Sequence, residues 1–235
     1  MEQIKLTYLD KIVHEMNASI QAIYLLSDIM LDGKLQFSEI DLQENLQHIF
    51  EASKKLIDIT SMLSSITNVK SDKVVLNKEE VDLIKLIEKE IKYHQIQNKS
   101  NFHLKIFFIN KISNIKAMVD QFWLEHLVSN LITNAVNHCN KGVIEISTDM
   151  FKKDDIDYFQ LIISDEGSGV PENELDSIFL PLIRGSNTVG KMDGSGIGLA
   201  IVREVAEAHG GTVFARNNAR GGASFEFVIP LGEYK

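Results

Sequence analysis

The chain has 235 residues, 24 Lys and Arg against 33 Asp and Glu for a formal net charge of -9, and one cysteine. That length holds one large domain or two small ones. The lone Cys139, with no Cys/His cluster of zinc-like spacing elsewhere, excludes a disulfide scaffold and a structural zinc module.

The acid excess runs through both the first 70 residues and the remainder. It argues against nucleic acid as a partner, because such binding needs Lys and Arg along the phosphates. The N-terminus opens with charge, and no apolar run approaches the ~20 residues of a membrane helix. The expectation is a soluble, cytoplasmic chain that meets a small ligand or another protein. Its three prolines are Pro171, Pro181 and Pro230, so long helices are permitted before them.

Leu6, Leu9, Val13, Met16, Ile20, Ile23, Ser27 and Met30 alternate in steps of three and four, the seam of a coiled-coil-like helix. After a turn at Gly33 and Lys34, Leu42, Leu46, Ile49, Ser53, Leu56, Thr60, Leu63 and Thr67 repeat the alternation. Two antiparallel helices leave such seams half covered, and a second copy of the chain would complete a dimeric four-helix bundle. A homodimer is therefore expected.

The polar stretch from Asn68 to Lys73 reads as a linker that divides 1–70 from 71–235. Beyond it, helical and strand periods alternate. The pattern predicts strands at Val74–Leu76, His103–Ile109, Val143–Thr148, Phe159–Ser164, Thr212–Arg216 and Ser224–Ile229. Helices are predicted over Asp82–Gln97 and Asp120–His138, with a third ending at Gly210-Gly211. The fold class is thus an α-helical hairpin followed by an α/β sandwich.

Four constellations carry chemistry. His14, one residue past Val13, faces water and has Glu15 beside it; a surface histidine and a nucleophile with a neighbouring proton acceptor both fit. Asn130 and Asn134 share one face of an apolar helix, where solvated asparagines or a magnesium-ligating amide are equally consistent. Asp165-x-Gly167-x-Gly169 follows an apolar strand, placing a carboxylate beside backbone that a flat base can approach. Gly194-x-Gly196-x-Gly198-Leu199 opens a helix, where free N–H groups and the helix dipole favour phosphate.

The stretch from Gly185 to Lys191 imitates a P-loop, but Met192 stands where the magnesium-binding hydroxyl belongs. It reads instead as a lid, with Arg184 and Lys191 as phosphate contacts.

In this order the four pieces resemble a sensor histidine kinase of two-component systems: a dimerisation and phosphoacceptor domain followed by an ATP-binding domain of the Bergerat, or GHKL, type. His14-Glu15 matches the start of the H box, Asn130 to Asn134 the N box, Ile178-Phe179-Leu180-Pro181 the F box, and the two glycine runs the glycine boxes. The resemblance covers nearly the whole chain. It implies that Asn134 ligates Mg²⁺, Asp165 reads the adenine amino group, Gly196 and Gly198 hold phosphates, and His14 attacks the γ-phosphate with Glu15 as general base. The phosphoryl group would then pass to an aspartate on the receiver domain of a response regulator.

The sequence departs from the family pattern in three places. Ala18 stands where relatives carry a hydroxyl or amide thought to position water, which implies weak phosphatase activity. Ser19 replaces the helix-bending proline of the H box, so the first helix should run straighter. At Asn137 a phosphate-binding cation is absent, leaving compensation to Arg184, Lys191 or His138. With no room for an input domain, the resemblance implies either a core cut from a longer sensor or a kinase governed by a separate input partner. Two other readings use the same pieces: a degenerate histidine phosphotransferase relay without ATP turnover, and a GHKL ATPase.

Overall fold

The computed structural model describes residues 2–32, 37–66, 76–98, 101, 103–112, 115–139, 141–181, 183, 185–186 and 196–232. The chain divides into two compact units, Met1–Ser71 and Asp72–Lys235.

The first unit is a hairpin of α1 (Glu2–Leu31) and α2 (Glu39–Ile66). Neither proline nor glycine interrupts α1, as its length requires. A reciprocal capping box starts α2: Ser38 Oγ accepts from the Asp41 N–H at 3.2 Å, and Asp41 Oδ2 accepts from the Ser38 N–H at 3.0 Å. These bonds from Ser38 hold the Asp41 carboxyl below its ordinary pKa.

The seam is rotated from the sequence expectation. Ile12 and Ser19 on α1 and Ile59 on α2 are buried, whereas Val13, Ile20, Leu42, Leu46 and Phe50 are each more than 40 % exposed. Two helices cover only one stripe of each other, so a heptad pattern written for a four-helix seam leaves its remaining apolar positions facing outward. The predicted turn at Gly33 and the linker positions 68–73 lie outside the described residues.

The second unit holds a small antiparallel pair, β1 (Glu79–Asp82) with β3 (Lys116–Val119), and a five-stranded sheet in the order β2-β4-β5-β7-β6. Its strands are β2 (Leu104–Asn110), β4 (Gly142–Lys153), β5 (Ile156–Ser164), β6 (Thr212–Asn217) and β7 (Ala223–Pro230). Only β2 and β4 run parallel. The helices are α3 (Leu83–Gln97), α4 (Gln121–His138) and α5 (Gly198–Ala208).

The alternation Ile144, Ile146, Thr148 on β4 and Phe159, Leu161, Ile163 on β5 is buried. This is the period-two signature of a sheet with one covered face. Leu124, Leu127, Leu131, Ile132 and Ala135 of α4 and Ile201, Val202 and Val205 of α5 supply the helical part of the core.

Asp82 and Asp120, predicted as first helical residues, are N-caps: their side chains accept from the N–H groups of Lys85 and Trp123. Of the strand expected at Val74–Leu76 only Leu76 falls among the described residues. Leu76 is unpaired, and the described strand runs over Glu79–Asp82 against β3. Both partners are four residues long and charged, with Glu80 bonded to Lys116, so neither leaves a hydrophobic period to read.

Candidate nucleotide site

Asn130 lies midway along α4 and faces the start of α5: a methyl group placed on Gly198 would sit 3.5 Å from Asn130 Oδ1. Asn130 Nδ2 is buried and has no hydrogen-bond partner among the described residues. A buried donor left empty costs about 1–3 kcal/mol, so the position calls for an acceptor from outside the chain. The first turn of α5 has no side-chain cap, which leaves its N–H groups to an anion. Asn134 is one turn further along α4 and half-buried; Asn137 is exposed.

The Asp165 carboxylate stands at the end of β5, 2 % exposed. Its Oδ1 accepts from the N–H of Gly167 at 2.8 Å and of Ala223 at 3.3 Å. Burial pushes its pKa upward against those two bonds and the nearby charge of His138. Since both bonds end on Oδ1, Oδ2 can accept from a ligand amino group. Gly167 passes so close to the last turn of α4 that a methyl there would meet His138 O at 2.4 Å. The first glycine box and the last turn of the helix that carries the N box are therefore in direct contact. His138, a candidate phosphate cation from sequence, lies near enough to Asp165 for its charge to favour the carboxylate.

Phe179 sits in a one-turn helix, Ser177–Phe179, is 2 % exposed and meets Phe225 edge-on. Arg203 of α5 lies over its ring, 4.8 Å from the centroid. Gly196 takes a left-handed φ of 72° just before α5, and Leu199 is half-buried in its first turn. Arg184, Lys191 and Gly194 lie outside the described residues, as does most of the P-loop-like stretch. Glu174 Oε2 accepts from the Ser186 N–H at 2.8 Å near the start of that stretch.

In the first unit His14 is exposed. Glu15 Oε2 is buried without a hydrogen bond and lies 3.9 Å from Lys55 Nζ of α2. Among the described residues no group of three or more His, Cys, Asp or Glu could hold a metal ion, and no helix is long and apolar enough to cross a membrane. A divalent cation at α4 would thus draw its oxygens mainly from a ligand and water, with a neutral amide such as that of Asn134 compatible as a single protein donor.

Sequence reasoning missed Arg203, Asn217 and Asn218. The two asparagines precede Gly221-Gly222, and read as turn residues only.

Residues 119–233 match the family model of histidine kinase-, DNA gyrase B- and HSP90-like ATPases. The chain is 30% identical over 231 residues to the sensor protein KdpD of Clostridium acetobutylicum, which covers 97% of this chain and 25% of that one. It is 26% identical over 201 residues to the sensor histidine kinase YvrG of Bacillus subtilis, covering 85% of this chain and 34% of the relative. The chain thus spans a quarter to a third of these relatives. The crystal structure of full-length ShkA in complex with AMPPNP superimposes with a TM-score of 0.66 at 17% identity, over 99% of this chain and 46% of ShkA. Residues 119–233 thus match the histidine kinase-, DNA gyrase B- and HSP90-like ATPase family model, and the chain as a whole is similar to sensor histidine kinases over 85–97% of its length.

Proposed function

We propose that the chain is an ATP-dependent histidine autokinase: it transfers the γ-phosphoryl group of ATP to His14 and passes it to an aspartate on a response-regulator receiver domain. The observation that carries the nucleotide half of this reading is the buried, unpartnered Asn130 Nδ2 facing the open N-terminus of α5, with Asp165 at the neighbouring strand end.

In this reading Asp165 Oδ2 accepts from the adenine amino group while Gly167 and Gly169 let the base lie against the backbone. Asn130 donates to a phosphate oxygen, and the N–H groups of Gly196, Gly198 and Leu199 take the remainder. Phe179, fixed by Phe225 and Arg203, anchors the segment that leads to Arg184, Lys191 and Gly194, the further phosphate contacts. Asn134 would hold Mg²⁺, which when bound would neutralise charge on the polyphosphate.

An imidazole nitrogen of His14 attacks the γ-phosphorus, the bond to the β–γ bridging oxygen breaks, and ADP departs. Glu15, whose Oε2 carries no hydrogen bond, takes the imidazole proton. Residues 1–70 then serve dimerisation and phosphotransfer, and 71–235 ATP binding. The outward apolar positions Val13, Ile20, Leu42, Leu46 and Phe50 support the homodimer. Ala18, exposed and without a polar group, supports weak phosphatase activity. Input comes from a further part of a longer protein or from a separate partner.

The test is radiolabelled Mg-ATP with wild type, His14→Ala and Asn134→Ala. Acid-labile protein phosphate is expected in wild type, none in His14→Ala, and far less in Asn134→Ala. Label persisting in His14→Ala sinks the nucleophile.

A further inference from the structure

Asn217 and Asn218 end β6 and enter the turn to β7, and both reach back to the first glycine box. The Asn217 amide pairs with the backbone of Val170 as a neighbouring strand would: Oδ1 accepts from the Val170 N–H at 2.8 Å and Nδ2 donates to Val170 O at 2.7 Å. Nδ2 also donates to Glu172 Oε1 at 3.0 Å. Gly169, between the box and this clamp, has φ +64°, and a methyl there would meet Asn217 Oδ1 at 2.8 Å.

Asn218 makes four side-chain bonds, the full capacity of a carboxamide. Nδ2 donates to Asp165 O at 2.8 Å and Ala223 O at 3.0 Å, and Oδ1 accepts from the N–H groups of Arg220 at 3.0 Å and Gly222 at 3.2 Å. Two consecutive side chains thus hold the box at both ends, Asp165 and Val170. Serine is too short to span two partners, and aspartate would turn each donated bond into an oxygen–oxygen repulsion.

We propose that Asn217 and Asn218 are positioning residues for nucleotide recognition, Asn218 by aiming the Asp165 carboxylate at the base and Asn217 by fixing the glycine backbone on which the base lies. This rests on the nucleotide reading of the site. Neither asparagine need touch the nucleotide; each acts through the box.

The test compares ADP with inosine diphosphate, whose base lacks the amino group, by titration of the 235-residue chain. Wild type is expected to favour ADP at least tenfold. Asn218→Asp should narrow that preference to threefold or less. Asn217→Asp should weaken both nucleotides five- to twentyfold with the preference kept, and Asn217→Ser should fall between it and wild type.

Loss of stability alone lowers both affinities together and leaves the ratio intact, so a folded Asn218→Asp with wild-type discrimination overturns the proposal. Wild type that binds neither nucleotide overturns the nucleotide reading itself. Should the aspartate variants not fold, amide hydrogen exchange in wild type decides. Slow exchange at Val170, lost in Asn217→Ser, is expected, and fast exchange at Val170 in wild type overturns the clamp.

Discussion

The backbone N–H of Asp120 donates to His209 Nε2 across 3.0 Å, while Nδ1 of the same ring donates to Val205 O at 2.8 Å. The imidazole is therefore neutral with its proton on Nδ1, and it ties the end of α5 to the start of α4, whose cap Asp120 also accepts from the Asn77 N–H.

Burial holds the His209 pKa below its ordinary value, so protonation favours the unfolded chain. The stability this residue contributes is complete above about pH 6.5 and is lost as pH falls from there toward the lowered folded-state value. His209→Asn should cost about 1–3 kcal/mol near neutrality. Melting curves from pH 7.5 to 5.5 should show the gap between wild type and variant closing; a constant gap contradicts the assignment.

Asp165→Asn should leave the fold intact and remove nucleotide affinity. The amide oxygen can take the place of Oδ1 and keep both N–H bonds, from Gly167 and Ala223. The amide nitrogen then points a donor at a donor, costing about ten- to a hundredfold in ADP affinity. Because burial raises the Asp165 pKa, wild-type affinity should fall with acidification at a higher pH than an ordinary aspartate would dictate. Calorimetric titration across pH checks both.

Gly222→Ala should be more damaging than its size suggests. The added methyl would meet Asp165 O at 2.1 Å and Oδ1 at 2.6 Å, both held in place by hydrogen bonds. A cost of roughly 1–3 kcal/mol and a loss of ADP binding are expected, by denaturant unfolding and titration. Unchanged binding would mean that the box can shift without consequence.

The outward apolar stripe of the hairpin predicts self-association. Wild type should elute with twice the chain mass by light scattering. Ile20→Glu with Phe50→Glu, placing charges at positions 49% and 57% exposed in the single chain, should shift it to a monomer with helix content retained.

Much of this was legible in the sequence because periodicity and punctuation agreed. Asp120 before an apolar helix, Gly210-Gly211 after one, and the alternation through Ile144, Ile146 and Thr148 each marked an element that the structure places within a few residues. Each glycine run taken alone reads as readily as a turn, and only its order along the chain with the paired asparagines and the F box singles it out. What escaped lacked a local signal. β1 and β3 stabilise each other across a long stretch of chain, not through their own composition. Asn217 and Asn218 announce only a turn, and their partners lie 47 and 53 residues away in sequence. On α1 the seam was legible as a period but not as a direction, which Ile12 and Ser19 reveal and Val13 does not.

Ser164 and Ser224 face each other in adjacent strands, their hydroxyls 2.7 Å apart, at the end of a register that continues from β5 to β7 through Tyr158 and Pro230. Both glycine boxes, the F box, α5 and β6 therefore leave and return through one doorway that the sheet has already closed. A backbone break inside that excursion separates the chain into two pieces but cuts no rung of the β5–β7 ladder. Such pieces can reassociate by strand complementation, with β7 and its partner β6 docking together onto the β5 edge.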